Sequence, residues 1–215
     1  QKGELLWKDQ SIISESIKER ADKIGYVLQN SNQMLSKNIV FEEVALALEN
    51  RGEDPINIQE KVLETLKICG LYEFRNWPIS ALSYGQKRRV AVASILVLEP
   101  ELLILDEPTA GQDYYHYTKM MDFLKKLNQQ GITILMITHD MHLMLEYTER
   151  TIVLKEGQII ADERPSKVLS STDLVASASL RKTSLYHLAK SNQLTDASGF
   201  VSAFIQHKGD PYDRE

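Results

Sequence analysis

The chain has 215 residues, enough for one domain or for one domain with a small appendage. Apolar residues make up 43% and charged residues 26%, the balance of an ordinary globular protein rather than a disordered or membrane-embedded one. A formal net charge of −5 offers no basic stripe to nucleic acid, and a single cysteine, Cys69, excludes an internal disulfide.

No stretch approaches the ~20 apolar residues that span a bilayer. The longest apolar-rich run, Val90 to Leu98, is interrupted by Ser94 and stops at Glu99-Pro100. From the start, Ile24-Gly25-Tyr26-Val27-Leu28 is a short apolar run ending in polar Gln29-Asn30-Ser31, which predicts a strand followed by a loop. Val40, Val44 and Leu48 then recur at helical spacing until Asn50-Arg51-Gly52-Glu53-Asp54-Pro55 breaks the element. Ile58, Val62, Leu66 and Cys69 form the inner face of a second helix closed by Gly70, which makes Cys69 a small buried apolar residue. Gln86 to Leu98 predicts a third helix, stopped by Pro100.

Leu102 to Leu105 and Ile132 to Ile137 are continuous apolar runs, the pattern of parallel strands covered on both faces. Between them Tyr117 to Gln130 reads as a helix with Met120, Met121, Leu124 and Leu127 inward, so the three form a strand–helix–strand unit. A helix from Asp140 to about Thr148 follows. Thr151–Leu154 and Gln158–Ala161 then flank the turn Lys155-Glu156-Gly157 as a hairpin. Residues 170 to 206 carry short helical patterns through Leu180, Leu185 and Leu188.

Three segments carry chemistry. Asp106 and Glu107 end a buried parallel strand, where α/β sheets place ligands; such an Asp can hold Mg²⁺, and the next carboxylate can polarise an attacking water. Ser83-Tyr84-Gly85-Gln86 opens a helix with no acidic residue in its first two turns, an arrangement suited to an anion, though an ordinary capped helix looks the same. His139 follows a further strand and is expected on the same sheet edge as Asp106 and Glu107. Its spacing from His142 weakly suggests a metal pair, which no further ligand supports. Gln29, at the end of the first strand, is uninformative alone. Each element has a bland structural reading; the set, in this order, does not.

That set resembles the nucleotide-binding domain of ABC ATPases over roughly residues 3 to 165. Gln29 matches the Q-loop glutamine, Leu82-Ser83-Tyr84-Gly85-Gln86 the signature motif with Tyr84 in place of its first glycine, and Leu102 to Asp106 the Walker B strand. Glu107 matches the catalytic glutamate, Ala110-Gly111-Gln112-Asp113 the D-loop, with Gln112 where Leu is commoner, and His139 the switch histidine. Within the family, Val27 to Asn30 and Thr183 to Ala189 look most like the ATPase subunits of energy-coupling factor (ECF) importers of vitamins and metals.

The resemblance implies an α/β, P-loop NTPase-like parallel sheet with a helical subdomain over about 31–98, an ATPase domain over 1–165 and a C-terminal helical extension over 166–215. It implies Glu107 and His139 as catalytic residues and Ser83, Gly85, Gln86 and Asp113 as nucleotide-binding ones. Asp106 and Gln29 would hold Mg²⁺. The implied cofactors are ATP and Mg²⁺; the implied partners are a second ABC ATPase subunit, identical or not, and a transmembrane transporter subunit, with no nucleic acid. Such a protein would sit peripherally on the cytoplasmic face of the membrane.

One motif is missing. No G-x-x-x-x-G-K-[ST] occurs, and only 28 residues precede Gln29, so the P-loop strand and helix are expected upstream. Gly3 to Trp7 fits the hairpin that follows that helix. The chain alone is therefore expected to be inactive and marginally stable, with a vacant ladder edge in its sheet. Two further readings compete: a soluble non-transport ABC ATPase, disfavoured by the acidic charge and the lack of a basic arm, and a catalytically dead ABC-like interaction module, disfavoured by the intact Glu107 and His139.

Overall fold

The computed structural model describes residues 3–180 and 183–207. They divide into two compact units, 1–137 and 138–215. The extension expected over 166–215 is described as far as residue 207, and its last eight residues lie outside the described set.

The first unit opens with a two-residue hairpin, β1 (Leu6–Trp7) with β2 (Gln10–Ser11), in the place expected for one. A single turn and a half of helix, α1 (Ile17–Ala21), follows. Ser16 and Glu19 set it with reciprocal bonds between side chains and backbone N–H groups. Three parallel strands, β3 (Ile24–Val27), β4 (Leu102–Asp106) and β5 (Thr133–Ile137), form a sheet in the order β3-β4-β5. The register aligns Val27 with Leu105 and Leu105 with Met136, so all three strands point the same way and end together.

Between β3 and β4 the chain makes the helical subdomain. α2 (Val40–Arg51) ends at Gly52, whose positive φ of 72° forms the left-handed cap. α3 (Pro55–Ile68) starts on the Asp54 side chain, which accepts from the N–H groups of Ile56 and Asn57. α4 (Tyr84–Leu96) packs against α2, α3 and β3. Val40, Val44, Leu48, Val62, Leu66, Val90 and Ala93 are essentially inaccessible in this cluster. One buried carboxylate belongs to it: Glu43, 3% exposed, accepts from the backbone N–H groups of Ser36 (2.8 Å) and Lys37 (2.6 Å) and so fixes the loop that enters α2.

α4 reaches the sheet at Gly25. A Cβ there would lie 2.3 Å from Ile95 Cγ2 and 3.1 Å from Leu103 Cδ1, so only glycine lets helix and strand approach this closely. α5 (Tyr114–Gln129) connects β4 to β5 and buries Met120, Met121, Leu124 and Leu127, completing the expected strand–helix–strand unit. It begins three residues earlier than the apolar pattern predicts, because Asp113 rather than an apolar residue defines its start.

The apolar strand runs are covered on one face only. Leu103 and Leu105 are buried, whereas Tyr26 (43%), Leu135 (44%) and Ile137 (49%) on the opposite face are exposed. This corrects the reading of β4 and β5 as strands covered on both sides. Among the described residues no further strand pairs with β5 either, so its outer edge is open.

The second unit holds α6 (Met141–Tyr147), the antiparallel hairpin of β6 (Thr151–Lys155) and β7 (Gln158–Glu163), and the helices α7 (Pro165–Ser170), α8 (Thr172–Ser177), α9 (Ser184–Ser191) and α10 (Ala197–His207). Its core gathers Met144, Leu145, Val153, Val168, Leu169 and Val201. Arg150 pairs with Asp162 across the hairpin through two 2.7 Å bonds. Among the described residues no helix is long and apolar enough to cross a membrane.

Two consequences are measurable. Gly25→Ala overpacks the α4–β3 contact and is expected to cost about 1–3 kcal/mol in chemical denaturation; an unchanged midpoint would contradict that packing. Burial pushes the Cys69 thiol up to about 12 against the opposing field of Arg89. Unfolded thiols ionise first, so this group's effect on stability is neutral at pH 7 and turns unfavourable as pH rises from about 9 towards 12. At pH 8.5 a thiol reagent should label Cys69 rapidly only after denaturant is added, and rapid labelling of the folded chain would refute its burial.

Candidate functional site

Parallel strands in register deliver the residues that follow them to one edge. Gln29 lies two residues beyond β3, Asp106 closes β4 and Glu107 follows it, all on the carboxyl edge, where open α/β sheets bind ligands. Asp106 is half-buried, and the Tyr26 hydroxyl lies 3.5 Å from its Oδ2, at the outer limit of a hydrogen bond. Glu107 has φ 46°, the left-handed region that costs a non-glycine residue about 1–2 kcal/mol. Its N–H nevertheless donates to the Ile137 carbonyl at 2.9 Å, which carries the β4–β5 ladder one residue past Asp106. The strained conformation is thus held by the sheet, and it turns the chain sharply right after the Asp.

The second group forms at two helix starts. Ser83 is extended, and its Oγ accepts from the Gln86 N–H (3.3 Å) while Gln86 Oε1 accepts from the Ser83 N–H (2.9 Å), closing a capping box. The N–H groups of Tyr84 and Gly85 precede the intrahelical ladder, and no acid occupies the first turn, so this end carries uncompensated partial positive charge. A Cβ on Gly85 would meet only His116 Cδ2 at 3.6 Å, an ordinary contact, so packing within the chain does not demand glycine there.

Opposite, Asp113 caps α5. It accepts from the His116 N–H at 2.9 Å and meets His116 Nδ1 at the same distance; these bonds, the backbone one foremost, hold its carboxyl below the usual range. Ser83, Gly85 and Gln86 face Gln112, His116 and Lys119 across an open cleft of about 220 Å³. Both side-chain amide atoms of Gln112 are buried with no partner among the described residues. Leaving such a group unpaired costs about 1–3 kcal/mol.

The residue that joins the two groups carries no distinctive mark in the sequence. Arg88, 1% exposed, donates from Nη2 to the Gln29 carbonyl (2.7 Å) and from Nη1 to the Pro108 carbonyl. In the sequence it is one of three consecutive basic residues, and only its place one turn after Tyr84 and two residues before Val90 sets it apart from Lys87 and Arg89, which are half-buried. Burial draws its pKa below the ordinary value, with Tyr84 opposing.

His139 belongs to the second unit. It is exposed, two residues past the end of β5, and is followed by Asp140, which caps α6 by accepting from the N–H groups of His142 (2.8 Å) and Leu143 (3.1 Å). Among the described residues no three His, Cys, Asp or Glu side chains gather as a metal cage. Gln29 and Asp106 instead offer two oxygen donors at one sheet edge. That set fits a magnesium ion that completes its shell with water and phosphate oxygens.

A parallel sheet with an acidic pair at its carboxyl edge and a capped, acid-free helix start beside it defines an α/β nucleotide-binding protein of the P-loop NTPase type. The ABC transporter family profile matches residues 1–110. An ABC transporter ATP-binding protein of Enterococcus faecalis is 59% identical over 215 residues, covering 100% of this chain and 37% of its own length. A Clostridium perfringens ABC transporter ATP-binding protein is 56% identical over 204 residues, covering 95% and 36%. Among solved structures, cbiO1 of Clostridium perfringens, part of the ABC transporter complex cbiONQ, superposes with a TM-score of 0.72 at 33% identity over 86% of this chain and 75% of that one. The ADP form of MJ1267, an ATP-binding cassette of an ABC transporter, shares the fold with a TM-score of 0.71 at 24% identity, covering 81% and 76%. The chain belongs to the ABC ATPase family. It spans a little over a third of the length of the curated relatives it matches.

The left-handed backbone at Glu107 predicts an ordering of variants. Glu107→Gly should leave the denaturation midpoint unchanged or raise it, whereas Glu107→Val should lower stability by about 1–3 kcal/mol. Equal midpoints for the two would show that φ at this position is unstrained.

Proposed function

We propose that this chain is the ATP-binding, ATP-hydrolysing part of an ABC importer of the ECF type, peripheral to the cytoplasmic face of the membrane. ATP-driven closure of two such domains drives a transmembrane subunit. The observation that carries the reading is the register of β3 and β4, which sets Gln29 beside the Asp106–Glu107 pair at one sheet edge. The family relationship and the membership of cbiO1 in a multi-subunit transport complex support it.

In this reading Asp106 and Gln29 hold Mg²⁺, whose role is to neutralise phosphate charge. The Glu107 carboxylate, standing next to Asp106, orients and polarises the attacking water. His139 takes a catalytic role assigned by the family motif alone. Ser83, Gly85, Gln86 and Asp113 bind nucleotide: the first three present the start of α4 to the γ-phosphate of ATP held by a partner ATPase domain, identical or not, and Asp113 contributes from the D-loop. Gly85 is then explained: its missing Cβ serves an approaching phosphate, since among the described residues only His116 comes near it, at an ordinary contact distance.

The lysine and hydroxyl of a P-loop are absent from these 215 residues, so the nucleotide bound at Asp106 needs groups that the chain does not supply. The isolated chain is accordingly expected to bind ATP weakly and to hydrolyse none. Tight Mg²⁺-dependent binding in a calorimetric titration would overturn the half-site reading. In the full-length assembly, Glu107→Gln should lower steady-state hydrolysis by about 10²–10⁴-fold, and a variant with parental turnover would remove Glu107 from the chemistry. Ser83→Arg should block the partner's site and lower turnover there by at least about tenfold, since a bulky cation replaces the hydroxyl at the helix start; unchanged turnover would end the proposed cross-domain role.

A further inference from the structure

Arg88 is a fully buried cation without an acidic partner among the described residues. Its two terminal nitrogens bond two backbone carbonyls from segments far apart in sequence, Gln29 after β3 and Pro108 after β4. Its guanidinium carbon lies 5.4 Å from the centroid of the Tyr84 ring, one turn earlier on α4. The planar fork of arginine can bridge two acceptors in fixed geometry, which the single ammonium of lysine cannot. An apolar side chain of similar length would fill the space more cheaply than a desolvated charge, so the hydrogen-bond geometry is what arginine adds here.

The carbonyls concerned flank the site. Gln29 is itself one of the two oxygen donors at the sheet edge, and Pro108 directly follows Glu107. The same side chain leaves α4 five residues after the Ser83 cap. A displacement of the α4 start is therefore transmitted rigidly to both flanks of the Asp106–Glu107 pair.

We infer that Arg88 is a positioning residue that locks the Gln29 loop and the turn after Glu107 to the phosphate-facing start of α4. Tyr84, which stands where the family motif has glycine, supplies the ring face that shelters the cation. The inference rests on the function proposed above and extends it: the magnesium donors and the partner-facing helix end move as one body.

The test uses the full-length assembly with Arg88→Met, which keeps length and apolar bulk but no donors, and Arg88→Lys, which keeps the charge with a single point donor. Two readouts are taken after circular dichroism has confirmed folded content. The first is hydrogen exchange of the segments 28–35 and 107–113. Arg88→Met should speed exchange in both at least about tenfold, with α3 unchanged, because the loops lose their shared anchor. The second is the Mg²⁺ concentration giving half-maximal ATP hydrolysis, which should rise about tenfold while the KM for ATP changes less than about threefold, since the donor pair rather than the purine contacts is disturbed. Arg88→Lys should fall between parent and Arg88→Met in both. A lower specific activity with parental Mg²⁺ dependence would show a merely structural arginine and overturn the inference, as would unchanged exchange in the two loops. If Arg88→Met does not fold, Arg88→Lys decides by the same criteria. A parental assembly that hydrolyses no ATP would defeat the proposed function instead, and the exchange experiment then decides the role of Arg88 alone.

Discussion

A strand in a parallel sheet hands over its last residue where its ladder stops, and here one ladder fixes that point for every candidate residue of the sheet edge. β4 is paired on both sides, and the bond from the Glu107 N–H to the Ile137 carbonyl extends its pairing one residue beyond Asp106. Asp106 is therefore held as part of the sheet, whereas Glu107 takes the turn. That turn needs φ 46° at a glutamate, a conformational cost that the ladder on either side of it holds in place. On a continuing strand the second side chain would pass to the opposite face of the sheet, whereas the turn at Glu107 releases it from that alternation at the carboxyl edge.

The helix-start group obeys a different constraint. The Ser83–Gln86 capping box and the Asp113 cap satisfy first-turn N–H groups with neutral or local partners, leaving the partial charge of α4 uncancelled by any acid in its first turn. The cleft between the two starts contains an amide, Gln112, whose polar atoms find no partner among the described residues. A buried amide without partners is tolerated where something from outside completes it. In the function proposed above, a second domain supplies that completion at Gln112, which stands where the family more often carries leucine.

Much of this was legible in the sequence, and what was missed shares a cause. Apolar periodicity located α2 and α3, an apolar run stopped by Pro100 located α4, and continuous apolar runs located β4 and β5, because tertiary burial leaves its mark on those segments. The start of α5 lies ahead of its apolar pattern because Tyr114 and Tyr115 are exposed and carry no such mark; the Asp113 cap is the signal that fixes it. α1 went unread although Ser16 and Glu19 spell a capping box, since five residues cannot display a period. Arg88 was invisible for a deeper reason. Its role lies in backbone acceptors brought from 59 and 20 residues away, and the identity of a carbonyl's owner leaves no trace in the sequence. The covered-on-both-faces reading of β4 and β5 failed because an apolar run records what a strand is suited to bury, not which neighbours these residues include.

That open face bears on how the site is held. Tyr26, Leu135 and Ile137 present apolar surface on the side of the sheet away from α4, and among the described residues no strand pairs with the outer edge of β5. A strand and helix of the kind the family carries at its P-loop would satisfy both, and anything that binds only the folded sheet stabilises it by mass action. Without such cover, the sheet edge is braced from one side only. On that side the bracing runs through α4: Gly25 allows the helix to approach β3 closely, and Arg88 ties the same helix to the ends of β3 and β4. The geometry of the Asp106–Glu107 edge thus depends on α4, the helix whose start faces a partner domain in the function proposed above. In that function, contact with the partner and order at the carboxylates are linked through one helix.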